Sequence, residues 1–475
     1  MPSYDKILKE ALKGIRPTKE QRRKFESLAK KTLSLTKKVA KRYKAKAMLA
    51  GSITRDTWLP GKNEFDVFVL FPEKLTQKQL ETTGLQVGKI VIAKLKGEYE
   101  TAYAEHPYVS GRVDDVSVDV VPCYEISFTD KLKSAVDRTP FHVRYIEKKL
   151  PLGLSDEVRL LKKFLDSNGM YGADTKVTGY SGYVCELLII SYRSFLNVLK
   201  AAVNLGAGEI IDIEKFYGKQ DYQNLVNMFK GQALILIDPT DKTRNAAAAV
   251  SAFNLFKFKK YAQMFLENPT PKLILGKEMQ PITEKELIEL QMKRRTELVI
   301  VKFIPPKVVP DILWPQLRRF ADRLQSILEE TKYEFKVLSK DVFTDESFIA
   351  TVLLEMEVSK LPAVQKKIGP SIFDLKDAEN FVNKYKEQAM GIYPEDNFWV
   401  AEVNREFLTA RDKIVDSLSK PLDILKAKGI PNHIAERIAN GFEVFSETDR
   451  IMRVVERNKD FGVFVRKYFE KERLV

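Results

Sequence analysis

Two short runs of β-branched and aromatic residues, EFDVFVLF and VSVDVV, carry acids where a buried strand would hold apolar side chains. Both runs read as strands, because valine and phenylalanine suit a pleated, covered surface. Glu64 and Asp66 are two residues apart in the first run, so a strand turns both to one face. Asp119 stands alone in the second. An unpaired carboxylate in such a place costs several kcal/mol or gives up its charge. Hard divalent cations are the natural compensation, and Mg²⁺ favours carboxylate and phosphate oxygens. An acid shared by two ions, with further acids beside it, is the arrangement of two-metal phosphoryl transfer. Gly51-Ser52 precedes the acids by a short loop. Glycine permits close backbone approach, and a serine hydroxyl with exposed N–H groups can hold a triphosphate. Each feature alone has an ordinary reading: a turn, a solvent-facing strand end, an edge aspartate. Their order and strand context together predict a metal site. Asp114 and Asp115, in the turn SGRVDD, read as solvated loop acids.

The length of 475 residues suggests three or four domains. An apolar fraction of 44% is enough for real cores, and no apolar run approaches the ~20 residues of a membrane span. The first residues are polar and helix-forming, unlike a signal peptide. Cys123 and Cys185 form no CxxC pair, so neither structural zinc nor a disulfide framework is expected. A cytoplasmic location is therefore expected. The three histidines, His106, His142 and His433, argue against multi-histidine metal centres. A net charge of +14 favours a polyanionic partner.

Along the chain, residues 4–46 read as helices. From 47 to 122, strands alternate with one long helix near 76–96. A basic connector, KLKSAVDRTPFHVRYIEKKL, leads to a mostly helical region at about 151–255. Within it, SGYVCELLIISYRSFLNVL reads as one nearly all-apolar core helix. From Thr296 the pattern is strand, helix, strand, strand, an α+β order often used by RNA-binding modules. After Lys360 the chain reads as helical and mixed in charge.

The glycine-serine pair, the two acids around one apolar residue and the later strand acid resemble the DNA polymerase β-like nucleotidyltransferase signature. TPFHVRYI, VRLLKKFLDSNGMYGADTKVTGYSGYVCELLI and DPTDKTRNAAAAVS resemble the archaeal, class I tRNA CCA-adding enzymes. The likeness is strong over about the first 255 residues and rests on architecture and length beyond them. It implies an α+β multidomain chain. A polymerase β-like nucleotidyltransferase head would cover 1–142, and a helical central nucleotide-binding domain 143–255. An α+β body would cover 256–360, and a helical tail and C-terminal RNA-binding region 361–475. The implied activity is addition of C, C and A to tRNA 3′ ends from CTP and ATP, with Mg²⁺ on Glu64, Asp66 and Asp119. The superfamily commonly has aspartate first; the archaeal branch also uses glutamate, as at Glu64 here. Homodimerisation is an expectation carried by the resemblance alone.

The same resemblance puts Ser52 and Arg55 at the triphosphate, Lys162 and Tyr171 with them, Thr139 and His142 in the nucleotide cleft, and Arg244 at the base. The residues themselves leave alternatives. Arg55 also fits a surface arginine. Lys162 lies at the margin of the apolar face of EVRLLKKFL, where lysines often lay their stems over a core. Tyr171 also fits a packing lid, and His142 a hinge contact between domains. In DPTDKTRNAAAAVS, Asp238-Pro239 marks a turn, Asp241 reads as an N-cap and the alanines as a helix start, which would leave Arg244 exposed. His106, one strand before Asp119, is placed to approach a primer end. Two rivals use the same residues: a poly(A)- or oligoadenylate-type transferase, and an RNA-binding module on an inactive transferase fold. The intact acid triad argues against the second.

Overall fold

The computed structural model describes residues 4–103, 105–331 and 333–470. The chain divides into two compact units at Glu278/Met279. In the first, α1 (Tyr4–Ile15) and α2 (Lys19–Ala40) precede a five-stranded sheet. Its strands are β1 (Lys46–Ala50), β2 (Glu64–Pro72), β3 (Glu98–Tyr103), β4 (Pro107–Val113) and β5 (Val116–Glu125), with α3 (Gln77–Lys94) between β2 and β3. The spatial order is β1-β2-β5-β4-β3. β2 and β5 run parallel; the other pairs are antiparallel.

Strand alternation gives this sheet two different faces. Phe65, Val67, Val69 and Phe71 of β2 join Val118 and Val120 of β5 in a core covered by α2 and α3. The opposite face of β2 changes character along its length. Glu64 and Asp66 come first, and then Phe68 and Leu70 pack with Cys123 and with Val143 of α4 (Thr139–Lys149). α3 approaches the sheet closely through glycines. A Cβ on Gly84 would lie 2.4 Å from Pro122, and one on Gly88 2.6 Å from Val109.

The chain continues through α5 (Ser155–Ser167), α6 (Gly182–Tyr192) and α7 (Phe195–Asn204). The apolar stretch expected to form one helix is two. Arg193 adopts a left-handed φ of 69°, Ser194 caps α7, and the axes bend by 94°. No single described helix is long and apolar enough to cross a membrane, and α6 and α7 are packed into the unit's core. The region is also less helical than expected. It holds a three-stranded sheet of β6 (Glu209–Ile211), β7 (Leu234–Asp238) and β8 (Asp241–Asn245), with α8 (Tyr222–Met228) between β6 and β7. The expected helix start in DPTDKTRNAAAAVS is therefore a hairpin. The Asp238 carboxylate accepts the Thr240 amide at 2.9 Å and hydroxyl at 2.8 Å, closing a tight turn into β8. Helix begins only at α9 (Ala252–Glu267), capped by Ser251, and α10 (Pro271–Leu275) follows.

The second unit has α11 (Glu284–Arg294), β9 (Glu297–Phe303), α12 (Pro310–Leu328), β10 (Lys336–Thr344) and β11 (Ala350–Val358) in the expected strand–helix–strand–strand order. With β15 (Glu443–Phe445) they form an antiparallel sheet, β10-β11-β9-β15. β9 is a continuous apolar run because both faces are covered. Val299, Val301 and Phe303 face α12; Leu298 and Ile300 face α17 (Thr448–Arg457) and α18 (Lys459–Phe469). The stretch after Lys360 is not purely helical. β12 (Val364–Ser371), β13 (Ala389–Glu395) and β14 (Phe398–Asn404) make a small antiparallel sheet carrying α13 (Leu375–Tyr385). β12 and β13 bury no residue fully, so they show little of the apolar alternation that marks a strand. Between β14 and β15 lie α14 (Ala410–Leu418), α15 (Leu422–Ala427) and α16 (Asn432–Ala439).

The glycine seats on α3 give a test. Gly88→Ala improves helix propensity by about 1 kcal/mol but forces a methyl into Val109. A net loss of about 1–2 kcal/mol is expected in urea denaturation followed by far-UV circular dichroism. Unchanged or higher stability would mean that the helix does not rest on those glycines.

Candidate active site

β1 ends beside the acids: Ala50 pairs with Asp66, and Asp66 is level with Asp119 on the parallel neighbour β5. Gly51 follows with φ +86°, and a Cβ there would sit 3.6 Å from the Asp66 carboxylate. Glycine thus lets the loop turn tightly against the acid, and Ser52–Arg55 then form a single 3₁₀ turn. Nine of the ten residues that the resemblance places at the metals and the nucleotide line one cleft of about 460 Å³: Ser52, Arg55, Glu64, Asp66, Asp119, Thr139, His142, Lys162 and Tyr171.

The acids strain each other. Burial, then Asp119, then Glu64 push the Asp66 carboxyl up to about 7. Burial also raises Asp119, against a 2.7 Å hydrogen bond donated by the Ser110 hydroxyl. Ser110 lies directly across from Asp119 on β4, and counting outward from the Asp114-Asp115 turn finds it. Among the described residues, no three His, Cys, Asp or Glu side chains close around a single ion position. The acids run instead along two strands, two of them level and one two residues before.

Behind the acids lies a buried charge cluster that was not apparent from periodicity. Glu186, on α6, is 3.0 Å from Arg55 and 3.6 Å from Lys162, and accepts the Thr57 hydroxyl at 2.7 Å. Lys162 is almost wholly buried rather than marginal. Its surroundings also include Cys185 on α6 and Arg55, and its ammonium donates to the Thr57 carbonyl at 3.3 Å. Burial lowers Lys162 more than Glu186 restores it, and the nearby Arg55 lowers it a little further. Burial raises Glu186, but two cations and a hydroxyl outweigh that and hold it below the usual range. A lone acid in the apolar run YVCELLII was the available signal, of the same kind as the strand acids.

A second hub is Asp238, fully buried at the end of β7. It meets His142 Nε2 at 2.9 Å and accepts from Arg244 at 2.7 Å and the Tyr183 hydroxyl at 3.1 Å. Burial pushes the Asp238 carboxyl up, yet His142, Thr240 and Arg244 outweigh it and hold it well below the usual range. The His142 ring stacks on Tyr183 at 4.0 Å. Arg244 thus stands on strand β8, not at a helix start, and meets the cleft lining through Asp238 and His142. Tyr171 lies in the loop after α5, with Lys62 over its ring at 4.4 Å. His106 is outside the cleft lining; it is buried, 3.5 Å from Glu81 of α3. Arg159, also buried, ties the loop to α5 through Asp56, Asp156 at 2.9 Å and the Trp58 carbonyl at 3.1 Å.

The raised Asp66 carboxyl has a sign that can be checked. From its ordinary value of 3.8 up to about 7, the folded chain holds a proton that the unfolded chain has released. Stability is therefore lost as pH rises through that window. Asp66→Asn cannot ionise. In chelator-treated buffer near pH 8 it should be more stable than the parent by up to about 4 kcal/mol, and by much less near pH 4. A difference independent of pH would show that Asp66 is not crowded by its neighbours.

Three family models match consecutive stretches: a nucleotidyltransferase domain at 33–142, the second domain of tRNA nucleotidyltransferase at 156–274, and the C-terminal domain of the CCA-adding enzyme at 294–447. The chain is 34% identical to the CCA-adding enzyme of Methanosarcina barkeri, over 96% of each chain. It is 34% identical to that of Methanocaldococcus jannaschii over 92% of this chain and 94% of the relative. With that of Archaeoglobus fulgidus the identity is 35%, over 93% and 94%. With identity at this level across nearly the whole length, and all three matched domains in order, the chain belongs to the archaeal CCA-adding enzyme family.

Proposed function

We propose that this chain adds C, C and A to the 3′ end of tRNA from CTP and ATP, without a nucleic-acid template. The observation that carries this reading is the level pair Asp66 and Asp119, with Glu64 beside it, facing a cleft whose far wall is cationic. The carboxylates fit divalent cations, since Asp66 holds its proton up to about 7 in their mutual field. Glu64, Asp66 and Asp119 would hold Mg²⁺, which when bound polarises the α-phosphate and acidifies the attacking hydroxyl. The terminal ribose 3′-oxygen of tRNA bonds to the α-phosphorus, its proton is lost, and pyrophosphate leaves. Ser110 keeps Asp119 oriented toward the cleft. Ser52, Arg55, Lys162 and Tyr171 would take the triphosphate, with Thr139 and His142 lining the cleft beside it. The second unit and the +14 charge supply the reading of a grip on the tRNA stem by shape and phosphate contacts. The C-terminal domain match at 294–447 favours this over a poly(A)-type transferase. Homodimerisation is part of the proposal on family resemblance alone.

The direct test incubates tRNA lacking its end with each nucleoside triphosphate separately. Addition of two C from CTP alone, and of one further A once ATP joins it, supports the reading; a long A tail overturns it. Alanine at Glu64, Asp66 or Asp119 should lower addition at least about 100-fold while the fold survives. Near-parental turnover by all three variants would remove the metal assignment.

Arg244 is proposed to help read the base, because its guanidinium presents several donors in one plane and Asp238 holds one of its nitrogens. Cytosine and adenine edges share acceptors that such donors can meet; guanine and uracil set a donor against them. An unmatched buried group costs about 1–3 kcal/mol. Arg244→Ala should therefore erode the preference for CTP and ATP over UTP and GTP by roughly 10- to 100-fold in kcat/KM. Parental ratios across the four nucleotides would show that Arg244 serves only the hairpin.

A further inference from the structure

We propose that Glu186 is the positioning residue of the phosphate end of this cleft, holding Arg55 and Lys162 together as a preformed cationic pair for the nucleotide's triphosphate. This rests on the reading of Arg55 and Lys162 as triphosphate ligands. Glu186 is 1% exposed on a helix whose neighbours, Cys185 and Leu187, are core residues, so packing alone gives no reason for a carboxylate there. Its contacts come from two other segments. The Arg55 Nε donates to one oxygen at 3.2 Å, and its terminal nitrogen lies 3.0 Å from the other. Lys162, from α5, lies 3.6 Å away. Two cations and one anion leave the cluster with a net single positive charge facing an open cleft. Without the anion, two buried cations would repel each other, and the desolvated lysine would give up its proton.

The bond lengths are uneven in a useful way. Lys162 is held only loosely, at 3.2 Å and 3.3 Å from Thr57 and 3.6 Å from Glu186. An incoming phosphate oxygen can therefore take the ammonium without breaking a short bond. The groups that face Lys162 are Glu186 and Cys185 from α6, Arg55 and Thr57 from the loop after β1, and the Tyr171 hydroxyl close by Gly182. Glu186 is the one carboxylate among them.

The test is steady-state addition of A to tRNA ending in CC, with ATP varied across a pH series. Glu186→Gln keeps the shape and removes the charge. It should raise the KM for ATP at least about tenfold near pH 8, with kcat changed less than about threefold. The rise in KM with pH should begin at lower pH than in the parent, and Glu186→Asp should recover part of the loss. Lys162→Met should show a raised KM without that pH trend. A parental KM and pH profile in Glu186→Gln, or lowered stability with KM untouched, would overturn the proposal. Parental KM in both Lys162→Met and Arg55→Ala would instead overturn the triphosphate reading on which it rests. Should Glu186→Gln fail to fold, Thr57→Val removes the hydroxyl that orients the carboxylate. A KM raised about threefold with the same pH trend is then expected, and its absence overturns the proposal.

Discussion

Asp66 and Asp119 stand level on adjacent parallel strands, and much of the first unit is built to bring these like charges together. Parallel neighbours cannot be joined by a tight turn, so the chain must cross over between them. Here the crossover runs through α3 and the β3–β4 pair before returning as β5. The crossover helix sits close enough to keep the sheet dry because Gly84 and Gly88 offer no side chain. Register is decisive. A slip of one residue in β5 would bring Val118 or Val120 beside Asp66 and turn Asp119 into the helix-covered core. The apolar residues on one face of the strands therefore enforce the position of the acids on the other.

The remaining walls of the cleft follow one physical rule: each buried charge has an opposite charge from a distant segment. Arg159 joins the loop after β1 to α5, Glu186 joins that loop and α5 to α6, and Asp238 joins α4 and α6 to the β7–β8 hairpin. Breaking one partner leaves an uncompensated charge, which is why such pairs hold loops in place more firmly than surface ion pairs do. The second unit uses the same device. Glu355, wholly buried on β11, takes Arg294 through two bonds at 2.6 Å and 2.9 Å, with Thr296 and Tyr468 on its remaining lone pairs.

Local pattern carried a large part of the molecule. The apolar face of α5 is legible from residues within a few positions of each other. So are the acids' shared face on β2 and the strand–helix–strand–strand order from Thr296. The misreadings have physical causes of equal clarity. One apolar run became two helices because a left-handed Arg193 and the Ser194 cap turned the chain, and a uniformly apolar stretch contains no periodicity to reveal that. The alanines after Arg244 became a turn because the Ala246 amide bonds back to the Leu236 carbonyl and the Ala247 amide to the Asn245 side-chain oxygen.

The sequence by itself determined that Glu64, Asp66 and Asp119 lie on strands and that the first two share a face, since alternation is a property of neighbouring residues. It also determined the family, because identity extends along nearly the whole chain. Only the tertiary structure decided what stands opposite each charge. Arg55 and Glu186 are 131 positions apart and His142 and Asp238 are 96 apart, and no local rule links residues at such separations. Those pairings arise because a carboxylate removed from water needs a cation or donors within bonding distance, and folding alone determines which ones arrive.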